Sequence, residues 1–385
     1  MKLLHTSDWH IGRIFNQHSL LEDQEHVLNQ IIDYAQEQQV DAMIVAGDIY
    51  DRALPSADAV ALLDQTLTTI ISELAIPVIM ISGNHDGAQR LGFGSQLLKH
   101  SGLHLFTSFD ELLKPVELDA SFGKVVIWGI PYCDPESVND YFGVKTNDHQ
   151  SAQEHVTNLL KQHISEHYDD TSAQVVISHS FIAGANTSES ERPLSIGGAE
   201  CVDADLFKDF DYTALGHLHQ AQFKGYKHVR YSGSPLKYSF SEVKQKKSVT
   251  LVSFAEDKSV QVELLPLRAI RDVQVLEGKF DELLAAGKTA PNAQDYIQIK
   301  LTDKEAILDP LARLRSVYPN ILDLTKLALE REATDTRQTR EQLGRKPIEV
   351  ISDFYKAMTT EPLSEEQENL LASIMDDVNK AAQKA

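Results

Sequence analysis

One pattern, repeated five times, restricts this chain more than any other: a short apolar run that ends on residues able to ligate a metal. Leu3-Leu4-His5-Thr6-Ser7 leads to Asp8 and His10. Met43-Ile44-Val45-Ala46-Gly47 leads to Asp48. Val78-Ile79-Met80-Ile81-Ser82-Gly83 leads to Asn84 and His85. Val175-Val176-Ile177-Ser178 leads to His179, and Thr213-Ala214-Leu215-Gly216 leads to His217 and His219. Runs of this length and composition read as buried strands. Ligands of α/β sheets gather at the carboxyl ends of strands, so the five polar ends are expected to meet. Glycine before Asp48, Asn84 and His217 permits a tight turn at each strand end.

The rest of the chain supplies the layers around those strands. Apolar spacing predicts helices over Leu20–Gln39 and Pro55–Leu74, the second with its proline in the first turn, and another near Ala152–His167. Further strands are predicted at Val125–Ile130, Tyr212–Leu215, Val249–Phe254 and Val260–Leu264. The sum is an α/β layered core over residues 1–267. Residues 268–330 predict a smaller α/β cap, with strands at Asp272–Leu276, Tyr296–Leu301 and Ile321–Lys326 and helices at Phe280–Ala286 and Asp309–Val317. Residues 331–346 read as a charged linker. Residues 347–385 read as two amphipathic helices separated at Pro362, with Ser364 and Gln367 at capping-box spacing.

Composition narrows the function classes. With Asp+Glu 57 against Lys+Arg 36, the net charge is −21. That excludes coating of nucleic acid by bulk charge, but not a phosphate held at one local positive site. Two cysteines, Cys133 and Cys201, make no disulfide framework and fit a reducing cytoplasm. No apolar run approaches the roughly 20 residues of a membrane helix, and the opening residues predict no signal peptide.

The ligand types suit two divalent cations. A shared carboxylate can bridge such a pair at about 3.5–4 Å, and mixed imidazole, carboxylate and amide oxygen favours Mn, Fe or Zn over Mg. Neutral ligands leave the site net positive even with Asp8, Asp48 and a hydroxide counted, which draws a phosphate in. His85, next to Asn84, is placed to protonate a leaving oxygen or steady charge on the phosphate. Taken singly, each motif is weak, because Asp caps helices and His sits in cores. Five in order are not weak.

Asp8-Trp9-His10, Gly47-Asp48, Gly83-Asn84-His85-Asp86, His179 and Gly216-His217-Leu218-His219 together resemble the calcineurin-like metallophosphoesterases. Thr6–Gly12, Gly47–Asp51 and Tyr231-Ser232-Gly233-Ser234-Pro235 resemble more closely the bacterial members that serve as nuclease subunits. The likeness covers nearly the whole chain. It implies a two-sheet sandwich flanked by helices, with a DNA-binding cap and a partner-binding tail. It implies one ion held by Asp8, His10, Asp48 and His219, and another by Asp48, Asn84, His179 and His217. Asp48 would bridge, Mn2+ is the expected ion, and His85 would be catalytic. It also implies exonuclease activity on duplex ends and endonuclease activity on single-stranded or hairpin DNA, in DNA repair and recombination. Its partners would be an SMC-like ATPase docked on the tail and a second copy of the chain. Where archaeal and eukaryotic members carry a further histidine, this chain has Asp51, a residue able to orient His85.

Three smaller features complete the reading. Ala286-Gly287-Lys288-Thr289 resembles the end of a phosphate-binding loop, but Glu282 replaces the required glycine, so it reads as a turn. Lys224–Lys247 is locally basic and could border a DNA path or be a solvated face. The alternatives are a phosphoesterase acting on a small phosphoester or phosphoprotein, and a non-catalytic scaffold. The tail argues against the first and the complete ligand set against the second.

Overall fold

A computed structural model describes residues 1–191 and 200–327, with single residues at 364, 367, 370 and 371. Met1–Leu301 and Ile307–Thr325 form one compact unit, while Thr302–Ala306 and Lys326–Ala385 form another. Every expected site residue lies in the first. The expected linker and most of the two-helix tail lie outside the described residues. The capping pair does not: Ser364 N–H donates to Gln367 Oε1 at 2.9 Å, and Gln367 N–H donates to Ser364 Oγ at 3.3 Å.

Two six-stranded sheets face each other. The first runs, in spatial order, Val260–Pro266, Ser248–Phe254, Lys2–Thr6, Ala42–Ala46, Val78–Ile81 and Leu103–Phe106. Its last four strands are parallel. The second runs Gln222–Phe223, Val229–Tyr231, Tyr212–Gly216, Ala173–His179, Gly123–Ile130 and Val116–Ala120, with its four inner strands parallel. Alternate residues divide the labour. Ala42, Ile44, Ala46, Ile79 and Ile81 meet Val125, Ile127, Val175, Ile177 and Ala214 between the sheets. Met43, Val45, Val78 and Met80 pack outward against helices Leu21–Glu37 and Ala57–Thr68. Val126, Trp128 and Val176 pack outward against helix His149–His167. Strands covered on both faces have no polar side, which is why their sequences are unbroken apolar runs.

Three details differ from the sequence reading. Pro55 lies outside its helix, because Ser56 is the N-cap and its Oγ accepts the Ala59 N–H at 3.2 Å. That helix ends at Thr68 and passes into one π turn, Thr69–Glu73. The strands Leu103–Phe106 and Val116–Ala120 and the short strand Val229–Tyr231 were not expected. Val116–Ala120 lies on a sheet edge and is only partly covered, so its Val-Glu-Leu-Asp-Ala sequence alternates instead of running apolar. Val273–Gly278, Tyr296–Leu301 and Ile321–Lys326 form a separate three-stranded sheet, with Phe280, Leu283, Ile297, Ile299 and Leu314 in its core.

The two large sheets touch at their carboxyl ends. A Cβ on Gly216 would lie 1.8 Å from the Ala46 carbonyl oxygen of the other sheet, and, within the first sheet's loops, one on Gly83 would lie 2.2 Å from Asp48 Oδ1. Only a residue without a side chain permits either approach. Gly216→Ala should therefore lower the unfolding free energy by about 1–3 kcal/mol or more, as overpacking does. Urea denaturation followed by circular dichroism reads this, and an unchanged midpoint would show that the sheets are not pinned there.

Candidate metal centre

Each strand delivers its polar residue at or just past its carboxyl end, and backbone bonds lock neighbouring ends together. Asp8 N–H donates to Gly47 O at 3.0 Å, and His10 N–H donates to Asp48 O at 2.9 Å. Asp8, His10, Asp48 and His217 have φ of 53°, 45°, 50° and 103°. Non-glycine residues avoid that left-handed region, so backbone strain is concentrated at this cluster. Asp8, His10, Asp48, His179, His217 and His219 are buried.

All seven expected ligand residues converge. Asp48 Oδ2 stands between two histidines, 3.6 Å from His10 Nε2 and 3.4 Å from His179 Nε2. On one side, His10 Nε2 and His219 Nε2 face each other at 3.2 Å, with Asp8 beside them. On the other, Asn84 Oδ1 lies 2.9 Å from His179 Nε2 and 3.2 Å from His217 Nδ1. Asp8 Oδ1 accepts the His217 N–H at 2.9 Å, while its buried Oδ2 has no hydrogen-bond partner. His179 Nδ1 bonds to Ala46 O at 2.9 Å, which turns its Nε2 lone pair inward. Acceptor atoms gathered this way cannot satisfy one another, but cations would satisfy them all. The donor set therefore fits a pair of divalent ions.

The electrostatics agree. Burial raises Asp8 to about 6, against the pull of His179 and His10. Burial also pushes Asp48 upward, but His179, His10 and His85 outweigh it and hold that carboxyl well below its usual range. Burial would lower His179, yet Asp48 and Asp8 raise it to about 9. The buried acids thus draw positive charge to this point, and a metal would displace the proton. Burial brings His217 to about 3 and His219 to about 4, so both are neutral imidazoles, as ligands must be.

His85 sits at the rim. Its N–H donates to Asp48 Oδ1 at 2.8 Å, and its ring lies edge-on to that of His10 with centroids 4.7 Å apart. Its Nδ1 is held by the backbone carbonyl of Asp51 at 2.9 Å. Asp51 thus holds His85 through its backbone carbonyl, in keeping with the sequence reading, while its carboxylate serves other partners. That carboxylate binds Arg13 at 2.8 Å and lies 3.5 Å from His10 Nδ1. Arg13 already balances its charge, so His10, Asp51 and His85 make an ion-paired corner and not a third cage.

Sequence reasoning missed several supporting residues. The Asp86 carboxylate accepts N–H groups of Ile49, Tyr50 and Gly83 at 3.1, 2.9 and 2.9 Å, tying two site loops together. Its place beside His85 was the available signal. Behind His219 lie Ser190, Glu191, Glu242 and Lys247, all buried, which no sequence pattern marked. Lys247 corrects the reading of the basic stretch: it is buried on Glu242, so it faces no DNA. Lys237 is paired with Asp272, while Lys224, Lys227, Lys244 and Lys246 are not buried. His5 is a core histidine, with Nδ1 2.9 Å from the Tyr212 hydroxyl.

Comparison with known proteins fits this geometry. Residues 1–221 match the family described as calcineurin-like phosphoesterase. Residues 269–359 match the one described as type 5 capsule protein repressor C-terminal domain. The SbcCD nuclease component SbcD from Staphylococcus epidermidis is 36% identical over 380 residues, covering 98% of this chain and 99% of its own. Its counterpart of the same name from Staphylococcus saprophyticus is 34% identical over 376 residues, covering 97% and 98%. Among solved structures, a dimetal phosphatase from Danio rerio aligns with a TM-score of 0.40 at 10% identity, over 68% of this chain and 98% of its own. On the full-length identity and the matched family, the chain belongs to the calcineurin-like phosphoesterases, in the branch of the SbcD components of SbcCD nucleases.

Proposed function

We propose that this chain is a two-metal DNA phosphodiesterase. The convergence of seven ligand-type side chains on Asp48, with Asp8 Oδ2 left unpartnered, carries the reading. Asp8, His10, Asp48 and His219 would hold one ion, and Asp48, Asn84, His179 and His217 the other. Two such ions, Mn2+ on the family resemblance, would supply Lewis acidity and lower the pKa of a bound water. Asp48 then fixes the spacing of the two halves. His85, anchored through its Nδ1–H by the Asp51 carbonyl and standing beside His10, would act as the imidazolium, turning its other N–H to the phosphate and passing that proton to the leaving oxygen.

The names of the relatives, which are components of a nuclease, support DNA as substrate and SbcC as the ATPase partner. Duplex ends would be trimmed exonucleolytically and single-stranded or hairpin DNA cut endonucleolytically, in DNA repair, recombination and replication within the cytoplasm. The cap at about 268–330 would steer the substrate, and the tail would dock on the SbcC coiled coil. Among the described residues, no helix is long and apolar enough to cross a membrane. An open apolar groove is lined by Leu54, Val60, Leu67, Leu91, Phe93 and Leu98. Phe93 is 86% exposed and Leu54 68%. Contiguous exposed apolar surface of this kind marks an interface, which supports a homodimer inside a heterotetramer with SbcC.

Purified chain with Mn2+ should cut linear DNA, hairpin DNA and a chromogenic phosphodiester. His85→Gln should lower turnover by about 100- to 10,000-fold, the worth of a proton donor, with ion uptake intact. Hydrolysis of phosphomonoesters alone, with DNA untouched, would sink the nuclease reading. Removing residues 345–385 should leave cutting in place and abolish co-elution with SbcC. A truncated chain that still co-elutes places the docking surface elsewhere. Phe93→Glu should convert a dimer to a monomer in light scattering, and an unaltered mass would clear the groove of that role.

A further inference from the structure

His219 has four polar atoms, and three are consumed by buried partners. Its N–H donates to Glu191 Oε1 at 2.8 Å. Its carbonyl accepts from Lys247 Nζ at 2.8 Å. Its Nδ1 meets Ser190 Oγ at 2.7 Å, and that hydroxyl donates onward to Glu242 Oε1. Direct contact of His219 Nδ1 with Glu242 is longer, at 3.5 Å. Glu242 is fully buried, and its other oxygen accepts from Lys247 Nζ at 2.5 Å. Lys247 also donates to Ser234 Oγ at 2.8 Å and Gln245 Oε1 at 2.7 Å. A buried carboxylate without a cation would be untenable, and Lys247 supplies it.

Proton positions follow from this chain of partners. Glu242, charged, only accepts, so the Ser190 hydroxyl hydrogen points to it. Toward His219, Ser190 Oγ can then only accept, which requires the proton on Nδ1. Nε2 is left with its lone pair, facing His10 and Asp8. Arg13 joins the two flanks, donating to Asp51 Oδ1 at 2.8 Å and to the Ser190 carbonyl at 3.3 Å. His179 and His217 have no such relay: the Nδ1 of His179 is held by backbone alone, and the Nδ1 of His217 faces Asn84.

We infer that Ser190, Glu242 and Lys247 are positioning residues: a buried relay that fixes the tautomer and aim of His219 and so sets the affinity of one ion site and not the other. This rests on the two-metal reading and adds an asymmetry between its halves. Removing an outer partner of a ligating histidine weakens metal binding by about 10- to 100-fold. Isothermal titration with Mn2+, backed by electron paramagnetic resonance of the spin-coupled pair, separates the two sites in the full-length chain. Ser190→Ala and Glu242→Gln should each weaken one ion by about 10- to 100-fold, leave the other unchanged, and delay the coupled signal to higher Mn2+. Ser190→Thr keeps the hydroxyl and should restore both. Ser190→Ala alters no charge, so it stays informative even where Glu242→Gln fails to fold. Two ions bound by Ser190→Ala as tightly as by wild type would overturn the relay alone. Equal weakening of both sites, alongside a lower melting temperature, would reduce it to general packing. A wild-type chain that takes up no pair of ions would overturn the two-metal reading and the relay with it.

Discussion

Backbone contact between the carboxyl ends of two parallel-cored sheets is the constraint on which the rest of the structure depends. Ala46 ends a strand in one sheet and Gly216 ends a strand in the other, and no side chain fits between them. That approach places Asp48 and Asn84, from the first sheet, against His179 and His217, from the second. Asp8, His10 and Asp48 hold left-handed backbone angles, and His217 a still rarer one, which a looser junction would relax. The cost of that strain is met by the packed core beneath, where both faces of each inner strand are covered.

Charge follows from the same geometry. A chain of net charge −21 cannot attract a polyanion through its whole surface. It could do so at a point where most ligands are neutral and the charge of two divalent ions would exceed that of Asp8 and Asp48. Burial keeps His217 and His219 uncharged, while Asp48 and Asp8 pull positive charge toward His179. With such ions bound, the site would invert the protein's field locally, where the sheets meet.

Ligand aim is the second consequence. Each imidazole has two nitrogens, and a neutral ring can offer only one lone pair. His179 spends its outer nitrogen on the Ala46 carbonyl. His219 spends its own on a hydroxyl backed by an ion pair, and His85 on the Asp51 carbonyl. A backbone carbonyl and a hydroxyl backed by an ion pair differ in stiffness and charge, so His179 and His219 are held in place by unlike partners.

Much of this was legible in the sequence. The inner strands announce themselves as apolar runs because both of their faces are buried, and the ligand residues because each ends such a run. The edge strand Val116–Ala120 was hidden, since partial exposure admits polar residues. Glu242 and Lys247 read as parts of a basic stretch, either beside a DNA path or solvated, because charge spacing along a chain says nothing about burial. Asp51 was legible as a candidate, but which of its oxygens faces His85 was not. Local pattern alone determined the strands, their polar ends and the ligand types, because those depend on residues near one another in the chain. Which atoms face which, and which charges sit together out of water, was decided only when strands separated by more than 200 residues were packed together.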